Sequence, residues 1–233
     1  MNPTLSIIIP CYNEEATIIE LIRRVEQVDI GPVRKQLVIV DDGSTDSTPE
    51  LLRTHAARHT LLLGTENQGK GAAIRRGLEA VTGDIVIIQD ADLEYNPDNY
   101  AALIAPILDG RTSVVYGSRE RNTSNRVRSG ITYYAGGKFL SAVTNLLYGS
   151  DITDEPTCYK VFDATLLKSL PLRCTGFEFC PEVTARVLRR GIAIEEIPID
   201  YFPRKKDEGK KIRWRDGVEA VWTLIRYRFA RKI

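Results

Sequence analysis

The sequence predicts an α/β protein with a mostly parallel central sheet flanked by helices, built as a single domain over residues 1–233. Three observations predict it. Apolar runs at 5–9, 37–40, 60–63, 85–88 and 113–116 recur at the spacing of βαβ units, with helical patterns between them. The runs are apolar throughout instead of alternating, as strands covered on both faces are. Each run leads into a polar motif, so a parallel sheet gathers all five motifs at one edge, where open α/β sheets bind ligands. The composition agrees: 43% hydrophobic and 27% charged residues in a chain of 233 is ordinary for a globular protein.

The elements follow in order. The run 5–9 feeds Pro10-Cys11-Tyr12-Asn13-Glu14 and a helical pattern over 15–28. The run 37–40 feeds Asp41-Asp42-Gly43-Ser44 and a helix over 48–58, whose Thr48-Pro49 start puts proline at the first helical position. The run 60–63 precedes Asn67-Gln68-Gly69-Lys70-Gly71, and the run 113–116 precedes Gly117-Ser118-Arg119. The run 85–88 leads to Asp90-Ala91-Asp92. Two carboxylates one residue apart at a strand's carboxyl end form a hard oxygen site suited to Mg²⁺ or Mn²⁺ carrying a phosphorylated ligand. Glu94 continues the alternation as a third oxygen donor. Beyond residue 119 the pattern changes to a polar Arg-rich loop at 120–130, helices at 131–148 and 178–190, a strand at 192–199, a charged loop at 203–211 and an amphipathic helix at 215–231.

A net charge of +1 gives no case for a nucleic-acid partner. The charge is unevenly placed: residues 204–233 hold 11 Lys/Arg against 4 Asp/Glu, a net of +7 that leaves −6 on residues 1–203. A basic end on an acidic body points to an anionic partner such as a membrane surface. Val218, Val221, Trp222, Ile225 and Phe229 recur at helical spacing, with Trp214 ahead and Arg226, Arg228, Arg231 and Lys232 among them. That pattern fits an interfacial helix, and equally a terminal helix packed on the domain with a basic outer face; the interfacial reading is favoured. Ile131, Tyr133, Tyr134, Phe139, Leu146 and Leu147 offer a second contact. No apolar stretch of about 18 residues predicts a transmembrane helix. The four cysteines, Cys11, Cys158, Cys174 and Cys180, show neither a Cys-x-x-Cys pair nor zinc spacing and read as reduced cytosolic thiols, Cys11 packing as a small apolar residue. His55 and His59 lie four apart without a third ligand and read as solvated.

Residues 64–71 nearly match a P-loop, but residue 71 is Gly where a Mg²⁺-binding hydroxyl belongs. The same glycines fail the dinucleotide fingerprint at Ile74. A P-loop phosphotransferase stays as the runner-up.

Together "SIIIPCYNEE" (6–15), "VDDGSTD" (40–46), "NQGKGAAIRRG" (67–77), "QDADLEYNP" (89–97), "GSR" (117–119), "TDEPTCYKVF" and "FPRKKDEGKKIRW" resemble glycosyltransferase family 2, and within it the polyprenyl-phosphate sugar transferases. The resemblance implies a GT-A fold, with residues 1–119 as the nucleotide-sugar half and 120–233 as the acceptor-side half. It implies inverting, metal-dependent transfer of a hexose from a nucleotide-diphosphate sugar (GDP-mannose or UDP-glucose type) to a polyprenyl phosphate, at the cytoplasmic membrane face. Pro10, Tyr12 and Glu14 would line the base and ribose, as would Asp42 with Asp41 beside it. Lys70 and the amides near Gly69 would lie by the nucleotide. Asp90, Ala91 and Asp92 would meet the diphosphate, with Mg²⁺ or Mn²⁺ held by Asp90, Asp92 and Glu94; relatives often carry Gln where Glu94 stands.

A phosphate acceptor is already anionic and needs no dedicated base. It needs cations against repulsion from the diphosphate, and Arg119, Arg126, Arg128, Lys138, Arg204 and Lys210 supply them. Asp92, Arg119 and Asp154 are the catalytic candidates, Asp154 orienting the sugar or an acceptor group. Glu178 and Glu182 read as first-turn acids of a helix, with Glu178 in reach of the sugar. The alternatives are transfer to a saccharide hydroxyl with Asp154 as base, and a catalytically silent nucleotide-sugar-binding module.

Overall fold

The computed structural model describes residues 2–125, 130–203 and 214–230. Seven strands form one sheet: β1 (Thr4–Cys11), β2 (Arg34–Asp41), β3 (Thr60–Leu63), β4 (Ile85–Ile88), β5 (Val114–Ser118), β6 (Lys160–Asp163) and β7 (Glu195–Pro198), in the spatial order β3-β2-β1-β4-β6-β5-β7. All pairings are parallel except those of β6, which runs antiparallel to both β4 and β5. The expected parallel sheet is present, and the strand at 192–199 shortens to β7.

Strand β6 escapes the sequence pattern because it is four residues long and opens with a charge. Lys160 is fully buried. Its ammonium donates to the carbonyls of Glu155 (2.6 Å) and Thr157 (3.0 Å) and stands 3.9 Å from the Tyr116 ring centroid. Those partners replace the hydration that burial removes. By separating β4 from β5, β6 carries residues 153–159 into the middle of the sheet's carboxyl edge.

Helices α1 (Ile18–Gln27), α2 (Thr48–His55), α3 (Lys70–Glu79), α4 (Tyr100–Leu108) and α6 (Ala164–Ser169) accompany the sheet. Leu21, Ile22 and Val25 form the buried stripe of α1 at helical spacing. His59 is half-buried instead of solvated, its Nε2 lying 2.6 Å from Glu26 Oε1, while His55 is exposed. Helices α5 (Ile131–Tyr148), α7 (Phe179–Arg189) and α8 (Trp214–Phe229) pack together around a second small core of Leu140, Ala185, Ala220, Leu224 and Tyr227.

Glu182 of α7 is no exposed first-turn acid. It is fully buried, pairs with Arg186 Nη2 at 2.8 Å, and accepts from the backbone amides of Arg173 and Cys174. Those bonds fix the loop 173–176 against the start of α3, where Gly71 N donates to Gly176 O (3.2 Å) and Ala72 N to Thr175 O (2.9 Å). The approach is so close that a Cβ on Gly71 would fall 2.7 Å from the Cys174 carbonyl oxygen, and one on Gly69, at φ +101°, 2.5 Å from that of Thr175. Glycine at 71 is therefore a packing requirement, and the amides a P-loop would aim at phosphate are already bonded. The P-loop reading fails on both counts. Gly71→Ala should cost about 1–3 kcal/mol by forcing the loop aside. Gly136→Ala, on open α5 surface, should be neutral or stabilise by about 0.5–1 kcal/mol. Denaturant midpoints of the two variants compare the sites.

Candidate active site

Strands β1, β2 and β4 are in register, with Cys11 level with Asp41 and Ile8 level with both Val38 and Ile88. Their carboxyl ends therefore reach one edge together. The loops after β1 and β2 are laced by their own polar residues. Asn13 N donates to Ser44 Oγ (2.8 Å), Thr45 N to Asn13 Oδ1 (2.8 Å) and Glu14 N to Thr48 Oγ1 (2.9 Å). Much of the polar character of these two motifs thus builds the loops themselves.

Above this edge opens a cavity of about 1560 Å³. Pro10, Tyr12, Glu14 and Asp42 line one end, Lys70, Asp90, Ala91, Asp92 and Glu94 the middle, and Arg119, Lys138 and Asp154 the other side. Gly69 is at the wall as well. The structure brings these predicted residues to one cavity. Arg126, Arg128, Arg204 and Lys210 lie outside the described residues.

Three assignments change. Asp41 is buried and accepts from Ser44 Oγ (2.5 Å) and Ser44 N (3.2 Å), so it builds the turn and does not line the cavity. The amides near Gly69 are taken: Gly69 N donates to Asp42 Oδ2 (2.7 Å) and Gln68 N to Asp42 Oδ1 (3.1 Å). Asp42 thus shapes the loop while facing the cavity. Glu178 turns back to accept from the amides of Thr175 and Gly176, both at 3.0 Å, and does not line the cavity.

Lys70 Nζ lies 2.5 Å from Asp90 Oδ1. Burial alone would push this ammonium's pKa down, but the Asp90 carboxylate outweighs it and holds it well above the ordinary value. Asp92 accepts from Glu94 N (3.1 Å) across Leu93, which sits in the left-handed region at φ +61°. Glu94 Oε2 accepts from Tyr201 Oη at 2.9 Å. Among the described residues no three acidic, His or Cys side chains close a metal cage. The arrangement fits a cation held partly by a ligand's phosphates, since Mg²⁺ and Mn²⁺ commonly take one or two carboxylates plus phosphate oxygens. Asp90 already draws a cationic group, the Lys70 ammonium, to its carboxylate.

Arg119, at the end of β5, is clamped by Asp154. Its Nε donates to Oδ2 and its Nη2 to Oδ1, both at 2.7 Å, and its backbone N donates to Oδ2 at 2.9 Å. Burial raises the Asp154 carboxyl, and Arg119 more than reverses this, leaving it below the ordinary value of 3.8. With both oxygens engaged and its basicity lowered, Asp154 is ill suited to act as a base for a saccharide hydroxyl. Lys138 pairs with Glu120 at 2.9 Å on the cavity rim. Tyr201, Tyr95 and Glu155 line the cavity without having been singled out from the sequence; the available signals were the motifs 89–97 and 153–162 that hold Tyr95 and Glu155, and Tyr201's position ahead of the basic loop.

Residues 6–170, more than two thirds of the chain, match glycosyl transferase family 2. The chain belongs to that family. It is similar to the UDP-N-acetylglucosamine–dolichyl-phosphate N-acetylglucosaminyltransferase of Methanococcus voltae, 29% identical over 83% of either chain. The low-salt glycan biosynthesis hexosyltransferase Agl6 of Haloferax volcanii is 28% identical over 97% of this chain, which spans 53% of that relative's length. Among solved structures, glucosyl-3-phosphoglycerate synthase of Mycobacterium tuberculosis with Mn²⁺, UDP and glucosyl-3-phosphoglycerate superimposes with a TM-score of 0.73, at 24% identity, over 97% of this chain and 80% of that one. The family 2 chain thus has the GT-A fold that its sequence implied.

Replacing Asp154 by Asn should destabilise the folded protein by about 3 kcal/mol at neutral pH, because Arg119 would keep a buried charge without its counterion. Asp154's carboxyl is depressed in the folded state, so its contribution is full above pH 3.8 and fades as pH falls through the lower folded value. The stability gap between wild type and Asp154→Asn, followed by denaturant titration across acid pH, should therefore close as pH falls. A gap that stays constant would show that ionised Asp154 is not its source.

Proposed function

We propose that this protein transfers a hexose from a nucleotide-diphosphate sugar to a polyprenyl phosphate, with inversion at the anomeric carbon and with Mg²⁺ or Mn²⁺. The observation that carries the reading is the lining of the cavity. The strand-edge motifs share its wall with Phe139, Trp214 and Val218, which are 61%, 75% and 61% exposed. A charged donor site that opens onto an exposed apolar rim suits an acceptor with a phosphate head and a hydrocarbon tail. The named acceptor of the Methanococcus relative, dolichyl phosphate, has that chemistry.

In this reading Pro10, Tyr12 and Asp42 hold the nucleoside. Asp90 and Asp92 hold the cation, which when bound neutralises the diphosphate and stabilises the departing nucleotide. Lys70 exchanges Asp90 for a donor phosphate. Arg119, kept oriented by Asp154, presents its remaining guanidinium edge to the acceptor phosphate. The phosphate oxygen attacks the anomeric carbon as the bond to the nucleotide diphosphate breaks, so no proton need be removed and no covalent enzyme intermediate forms. GDP-mannose, UDP-glucose and UDP-N-acetylglucosamine, each offered with a short-chain polyprenyl phosphate and Mn²⁺, test the reaction. Product should form from one donor, vanish with EDTA, and fall at least about a hundredfold in Asp92→Ala. Transfer that survives both changes would sink the metal-dependent mechanism; metal-dependent donor hydrolysis without product would move the acceptor elsewhere.

Peripheral membrane contact belongs to the same reading. Helix α8 packs inward through Ala220, Thr223, Leu224 and Tyr227 and turns Trp214, Val218, Trp222 and Phe229 outward, with Leu146 and Phe139 of α5 also exposed. The helix packs on the domain as one expectation had it, and its exposed apolar residues with arginines beside them support the membrane-contact reading. Among the described residues no helix is long and apolar enough to cross a membrane. Binding to vesicles containing anionic lipid, measured by flotation, should weaken about tenfold or more when Trp222 and Phe229 are both changed to Ser. Unchanged binding would remove this face from the proposal.

A further inference from the structure

Tyr201 stands just beyond β7 and is 8% exposed. It touches the metal-motif residue Glu94 and Arg119 at once. Its hydroxyl donates to Glu94 Oε2 at 2.9 Å, and the Arg119 guanidinium carbon lies 5.0 Å from its ring centroid. Its backbone bridges to that of Tyr95, the two rings are 5.4 Å apart, and Phe202 N donates to Glu94 O at 2.9 Å. The ring is therefore fixed from the metal-motif side while carrying the acceptor-side arginine. No other residue type supplies both a face for a guanidinium and a phenolic donor at this reach.

We propose that Tyr201 is a positioning residue that couples the two halves of the site. Its hydroxyl orients Glu94 beside the metal-binding aspartates, and its ring sets the plane of Arg119 toward the acceptor phosphate. The inference rests on the transfer reaction proposed above. It separates two handles on one side chain. Donors that orient a carboxylate at a metal site typically change metal affinity ten- to a hundredfold when lost. A guanidinium without its aromatic face keeps its charge and its Asp154 clamp but loses one constraint on its tilt.

The test measures Mn²⁺ affinity with UDP or GDP present, acceptor KM at saturating Mn²⁺, and melting temperature. Tyr201→Phe should weaken Mn²⁺ binding about tenfold and leave acceptor KM unchanged. Tyr201→Met should weaken Mn²⁺ equally and also raise acceptor KM several-fold; Tyr201→Leu replaces it if the Met variant does not fold. The double variant Glu94→Gln/Tyr201→Phe should bind Mn²⁺ no more weakly than Glu94→Gln alone, as expected when both changes remove one interaction. Wild-type Mn²⁺ affinity in Tyr201→Phe would overturn the proposal. So would equal acceptor KM in the Phe and ring-less variants, or a lowered melting temperature with both binding constants unmoved. A wild-type protein that binds no Mn²⁺ with either nucleotide would instead overturn the metal-dependent reading, and this inference with it.

Discussion

The clamp between Arg119 and Asp154 is the interaction on which the β5–β6 side of the cavity depends. Asp154 is held in turn, because its backbone N and that of Thr153 donate to Glu196 (3.0 and 2.8 Å), which also pairs with Arg121 at 3.1 Å. Two carboxylates and two guanidiniums thus tie the end of β5, the approach to β6 and the start of β7 into one unit. Buried pairs of this kind contribute little net stability against a well-packed apolar alternative, yet breaking one is costly. Their effect here is geometric: three segments far apart in sequence are held in one arrangement around a single guanidinium.

The cavity's cations are engaged before any ligand contact is considered. Lys70 is on Asp90, Arg119 on Asp154 and Lys138 on Glu120. Their roles differ with their partners. Asp154 has 4% side-chain exposure and both oxygens bonded by one arginine, so releasing it would leave a buried charge uncompensated. Lys70 and Asp90 are 17% and 22% exposed, and each can take a ligand-derived counter-charge, a phosphate for the lysine and a metal cation for the carboxylate. In the proposed reaction, an anionic donor arriving with its cation would exchange one ion pair for two, whereas an anion alone would have to displace a carboxylate. Joint entry of cation and diphosphate would then be favoured, with Arg119 held on Asp154 throughout.

The cavity edge formed by β1, β2 and β4 was legible in the sequence for a physical reason. Strands covered on both faces must be continuously apolar, and a parallel sheet must deliver the residues that follow them to one edge. Asp90, Asp92 and Asp42 could be placed from those two rules. What escaped was the identity of partners. Asp41 and Asp42 are adjacent and alike in sequence, yet one closes a turn with Ser44 and the other faces the cavity. Glu182 has the position of a helix-dipole acid, and only the fold reveals that Arg173, Cys174 and Arg186 converge on it. Lys160 opened a strand that no periodicity could announce, because burying an ammonium depends on carbonyls supplied by its own loop. Polar residues far apart in sequence leave no periodic trace of the contacts that decide their function.

The C-terminal helix shows that periodicity alone does not give direction. Its large apolar residues recur at helical spacing and would ordinarily mark the inward stripe. Instead Ala220, Thr223, Leu224 and Tyr227 meet α5 and α7, where Arg186 stacks 4.4 Å from the Tyr227 ring centroid and Tyr148 Oη donates to Leu224 O at 2.6 Å. The inward face packs Ala220, Leu224 and Tyr227 into the second core and adds these polar contacts, while Trp214, Val218, Trp222 and Phe229 stay exposed. An apolar surface of several large residues is costly in water and in folded proteins usually marks an interaction site. Trp214 and Val218 belong both to that surface and to the cavity wall. The same helix therefore contributes to both the apolar face and the wall of the cavity that Arg119 also lines, an arrangement that the acceptor proposed above, with its head in the cavity and its tail in a bilayer, would require.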